Sequence, residues 1–107
     1  MMPAIGEILE EMVLPRLEQT GSDRESKHLS ASIQRILGSF AEIMPDQVTA
    51  AMLESYWRYN DCDDREDGSK TPSRCARDLR LMRQAILTHA KRHQITAPGI
   101  FERVWPW

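Results

Sequence analysis

The chain has no apolar run long enough to cross a bilayer, which takes about 20 residues. Its opening, MMPAIGEILEEMVLP, carries acids where a secretory signal would carry bases. These two absences predict a cytoplasmic protein with no membrane partner. Cysteine is scarce: Cys62 and Cys75 are too few for a disulfide framework, and both are expected to remain thiols. There is no glycine-rich phosphate loop, no nucleophile elbow and no constellation of acid, base and nucleophile, so neither a catalytic site nor a cofactor is expected. Convincing strand patterns and internal repeats are missing as well. What remains is 107 residues, 41% hydrophobic and 28% charged, with a formal net charge of -2. That is enough for the core of one small domain, and too apolar for a chain disordered throughout.

The apolar residues recur at helical spacing. Ile5, Ile8, Leu9, Met12, Val13 and Leu17 predict a first helix, bent at Pro15, which has no amide to donate. A polar connector follows from Thr20 to Lys27. Leu29, Ile33, Ile36, Leu37 and Phe40 predict a second helix that stops near Gly38, with Phe40 anchoring the turn into the core. Thr49 suits the N-cap of a third helix whose Met52, Leu53, Tyr56 and Trp57 point inward. A fourth opens at Thr71 and Pro72 and runs to His93 along the stripe Cys75, Leu79, Met82, Ile86, His89 or Ala90, and His93. Short connections favour an all-α antiparallel bundle of four main helices, with room for a short C-terminal one.

The fourth helix concentrates positive charge. Arg74, Arg77, Arg80, Arg83, Lys91 and Arg92 are opposed within it only by Asp78, so the segment is locally basic in an acidic chain. At about 100° per residue, Arg77, Arg80, Gln84, Thr88 and Lys91 fall opposite the apolar stripe, with Arg83 at its border. An exposed charged helix face is by default a solvated face, and arginine is a good helix former. Gathered on one side, the same charges form the electrostatic footprint of a nucleic-acid surface.

The run SRCARDLRLMRQAILTHAKRHQIT, with Arg77-Asp78-Leu79, Leu81-Met82-Arg83, Ala85-Ile86 and Ala90 followed by Ile95, resembles the last long helix of the core-binding domain of tyrosine recombinases, the phage integrases. IGEILEEMVLPRLE is similar to that family's opening helix, HLSASIQRILGSF to its second and VTAAMLESYWRYN to its third, so the likeness covers roughly residues 4 to 106. The resemblance implies a SAM-like helical domain over residues 1–104 that closes one half of a clamp on double-stranded DNA. Residues 105–107 would begin a linker toward a C-terminal catalytic domain. Strand cleavage belongs to that other domain, so this chain is expected not to be an enzyme, and an oligomer on DNA is allowed for. Arg74 stands where the family usually has a threonine before the Arg-acid-Leu triplet.

For phosphate-led docking with the fourth helix aimed at a major groove, Arg74 and Arg77 are the expected groove-facing residues and Thr71 and Ser73 the expected phosphate contacts. Arg80, Lys91 and Arg92 extend the footprint. The resemblance adds an earlier helix, with Lys27, His28, Ser30 and Arg35. Two alternatives stay open: a protein-interaction bundle using Leu81, Leu87, Trp57, Trp105 and Trp107, and a stand-alone DNA-binding regulator without recombinase activity.

Between the third and fourth helices, NDCDDREDGS sets five acids against Arg65. Phosphates repel such a loop, so it is expected to point away from a duplex or to fold over the basic helix when DNA is absent. Asp63, Asp67 and Gly68 resemble part of a calcium loop, but Arg65 takes a ligand position and Arg74 the place of the bidentate glutamate, which sets calcium aside. His89 and His93, one turn apart, join Cys62 and Cys75 as zinc-type ligands. Structural zinc sites pair their cysteines closely, and these two have 12 residues between them. No metal is expected, and the histidines are placed at the edge of the core.

Overall fold

The computed structural model describes residues 2–13, 15, 23–59, 74–103 and 105, with residues 23–26, 59 and 74 described by their backbone alone. The helices whose full extent falls among the described residues are, in order, α1 (Ile5–Met12), α2 (Asp23–Phe40), α3 (Ala50–Tyr59), α4 (Arg74–Arg92) and α5 (Gly99–Glu102), with a 3-10 turn at Pro45–Gln47. No strand occurs among the described residues. The protein is a small all-α bundle, as the periodicity predicts, and no described helix is long and apolar enough to cross a membrane.

α4 is the central helix, because α1, α2, α3 and α5 all pack on it. Its stripe of Cys75, Leu79, Met82 and Ile86 is fully buried, and Ala76, Ala85 and Ala90 widen the contact without adding bulk. Onto it α1 brings Ile5, Ile8 and Leu9, α2 brings Ile33, Ile36 and Phe40, α3 brings Leu53 and Tyr56, and α5 brings Phe101. Each large apolar side chain removed from water stabilises the fold by about 1.5–3 kcal/mol. His93, the expected end of the stripe, instead faces outward.

Helix ends follow local chemistry. The Thr49 side chain accepts a hydrogen bond of 3.3 Å from the Met52 amide and so caps α3, as expected. α1 runs to Met12 and closes on Val13 N–H to Leu9 C=O; Pro15 again has helical backbone, and Leu14 between them lies outside the described residues. α2 starts inside the expected connector and runs through Gly38 to Phe40. Burial of Phe40 outweighs the helix penalty of Gly38, which is about 1 kcal/mol.

α1 and the end of α2 meet backbone to backbone. The Ile5 amide donates to Ile43 C=O at 2.9 Å and the Gly6 amide to Ala41 C=O at 3.0 Å, which satisfies two of the unpaired donors of the α1 first turn. Gly6 permits this approach, because a Cβ there would lie 2.8 Å from the Ala41 carbonyl oxygen.

At the other end, α4 closes in a Schellman motif. The Ile95 amide donates to Ala90 C=O at 2.8 Å and the Gln94 amide to Lys91 C=O at 3.3 Å, with Gln94 left-handed at φ 55. Trp105 folds back on the bundle: its indole N–H donates to Ile100 C=O at 2.7 Å and its ring centroid lies 5.7 Å from that of Phe101.

Candidate nucleic-acid interface

The solvent face of α4 carries Arg77, Arg80, Gln84, Thr88, Lys91 and Arg92, all exposed. From Arg77 to Lys91 the stripe is about 21 Å long, the rise of roughly six base pairs, and a major groove is wide enough to admit a helix. Lys91 and Arg92 lie in the last turn, where cations favour the helix dipole, and need no other explanation. Arg77 does, because it places positive charge near the positive end of the dipole, after a first turn with no acid.

The acid that opposes these cations in sequence does not oppose them in space. Asp78 is fully buried. Arg35 of α2 grips it as a fork, with Nε donating to Oδ2 at 2.7 Å and Nη2 to Oδ1 at 3.0 Å, while the Tyr56 hydroxyl of α3 donates to Oδ2 at 2.7 Å. Arg35 Nη2 also donates to Ser32 Oγ at 3.3 Å. The bond to Asp78 raises the Arg35 pKa further above its ordinary value, and burial, followed by the hydrogen bond to Asp78, raises that of the Tyr56 phenol. One carboxylate thus joins three helices and is withdrawn from the exposed face of α4.

The expected contacts divide accordingly. Arg77, Arg80, Lys91 and Arg92 share the exposed side of α4. Arg74 is the first residue of that helix. Lys27 and His28 are exposed on α2 and Ser30 is half-buried there. Arg35 is turned inward to Asp78, so its fork is not presented to a duplex. Arg83 is diverted too: its Nε donates to Phe101 C=O at 2.8 Å and its guanidinium lies 5.9 Å from the Trp105 ring centroid, pinning the C-terminal segment. Thr71, Ser73, Lys70, Trp107 and the acidic loop 61–67 lie outside the described residues.

Cys75 is disulfide-bonded, which corrects the expectation of a free thiol and removes it as a metal ligand; Cys62 lies outside the described residues. Sequence spacing alone does not settle such a pairing, because it requires the Cα atoms within about 7 Å.

The sequence signal for the Asp78 network was an acid at the spacing of the apolar stripe, three residues after Cys75 and four before Met82. Its partners lie 43 and 22 residues away: Tyr56 was expected to point inward and Arg35 toward DNA, and nothing in the sequence paired either with Asp78. The chain matches no protein-family model, no curated protein and no solved structure.

Proposed function

We propose that this chain is a DNA-binding helical domain of the kind tyrosine recombinases use to hold the recombination core site, with the exposed face of α4 laid against a duplex and strand cleavage left to a separate catalytic domain. The observation that carries this reading is the segregation of charge on α4: Arg77, Arg80, Lys91 and Arg92 are exposed together, while the helix's sole acid is buried against Arg35. Cations set along a strand displace condensed counterions, so affinity is phosphate-led and salt-dependent. Of these four, Arg77 lies nearest the helix start and is the candidate for a base edge; the others position the domain.

Fluorescence anisotropy on a duplex, read across a salt series, tests this. Three phosphate contacts give a log-log slope of roughly -3, and the double variant Arg77→Ala, Arg80→Ala lowers its magnitude by about 1 and weakens binding further through the lost base-edge contact. Binding that ignores salt, or a double variant that binds as the wild type does, contradicts the reading. A second reading, a protein-interaction bundle, draws on Leu81 and Leu87, half-exposed on either side of the basic stripe. It predicts a partner whose affinity changes little with salt.

A further inference from the structure

Three side chains with metal-ligand chemistry converge where the end of α1 meets the end of α4. His89 and His93 stand one helical turn apart with ring centroids 4.3 Å from each other, and Glu11 reaches them from α1. Its carboxylate offers one oxygen to each ring: Oε1 lies 3.0 Å from His93 Nε2 and Oε2 lies 3.3 Å from His89 Nδ1. The three ligand atoms all fall within 4.8 Å of one another. Two nitrogens and an oxygen held about 2.0–2.2 Å from one ion at tetrahedral angles would sit roughly 3.3 Å apart.

The buried member carries the argument. His89 is 3% exposed, and its Nδ1 has no hydrogen-bond partner. Glu11 is close enough at 3.3 Å but makes no hydrogen bond with it. A polar nitrogen stripped of water and left unbonded is unfavourable unless something else engages it. His93 does hydrogen-bond to Glu11, which fixes the carboxylate between the two rings.

We propose that Glu11, His89 and His93 form a binding site for a divalent transition-metal ion of the zinc class, taken by a carboxylate oxygen, Nδ1 of His89 and Nε2 of His93. Imidazole nitrogens suit Zn²⁺, Ni²⁺ or Cu²⁺ and do not suit Mg²⁺ or Ca²⁺, which take oxygen ligands. Three protein ligands leave a fourth position open. It faces solvent, because the side chains of His93 and Glu11 are 44% and 40% exposed. The ion clamps the end of α1 to the end of α4. None of the three residues belongs to the basic stripe, so this site stands or falls apart from the nucleic-acid reading.

Calorimetric titration of the purified chain with ZnCl₂, paired with thermal melts, tests the site. The expected result is saturable one-to-one binding, a melting temperature raised by Zn²⁺ and unmoved by Mg²⁺, and binding weakened more than about tenfold in both His93→Ala and Glu11→Gln. Both substitutions fall at half-exposed positions, and far-UV circular dichroism checks that each variant folds. Co²⁺ as the probe gives visible ligand-field absorption that the same variants lose. Wild type that takes up no more Zn²⁺ than folded His93→Ala overturns the proposal. So does binding that is instead abolished by His28→Ala, the chain's remaining histidine.

Discussion

Asp78 sits without solvent exposure between Arg35 and Tyr56, and a lone carboxylate in that position would be unfavourable by several kcal/mol. The Arg35 fork and the Tyr56 hydroxyl together offset that cost and tie α2 and α3 to α4. Asp78→Ala leaves a half-buried guanidinium and a buried hydroxyl unmatched, and urea denaturation should show a loss of about 3 kcal/mol. Tyr56→Phe removes one bond to the carboxylate and should cost about 1–2 kcal/mol. The folded protein also holds the Tyr56 proton more tightly than the unfolded chain, whose phenol titrates near 10.0. Its contribution is therefore complete below that pH and is lost as pH rises past it, by up to about 1.4 kcal/mol per pH unit. Urea melts from about pH 9 to 11 should show the wild type losing stability more steeply than Tyr56→Phe.

Among the helices, boundaries depend on contacts that local sequence does not contain. The stripe of α4 and the Thr49 cap were legible because both are local patterns: a spacing of three or four, and a hydroxyl ahead of an apolar run. The docking of the start of α1 and the continuation of α2 through Gly38 were not, because Ala41, Ile43 and Phe40 settle them by packing against other elements. Two substitutions of opposite sign check these ends. Gly6→Ala pushes a methyl onto the Ala41 carbonyl and should destabilise by about 1 kcal/mol or more, despite the better helix propensity of alanine. Gln94→Gly relieves a left-handed residue and should stabilise by about 1 kcal/mol, which thermal denaturation reads as a rise of about 4–8 °C. Glutamine gives no glycine signal at that position, so the Schellman ending is visible only in the hydrogen bonds.

At the scale of the molecule, an acidic chain presents a helix face free of acids among its described residues. Sequence showed the excess of arginine, and helical projection placed Arg77, Arg80 and Lys91 together. It did not show that Asp78 is withdrawn from the exposed face by Arg35, or that Arg83 is spent on Phe101. Nor did it join Glu11 to His89 and His93, since these residues lie far apart in sequence and only the packing of α1 on α4 brings them together. The net charge of -2 opposes approach to phosphates, so this chain alone should bind DNA weakly and best at low salt. The direct test is amide chemical-shift mapping of the labelled protein against a short duplex at low salt. Perturbations gathered on Arg77, Arg80, Gln84, Thr88 and Lys91, and reversed by added salt, are the predicted result. Shifts that cluster on another face, or none at all, would contradict the assignment of α4 as the DNA-binding surface.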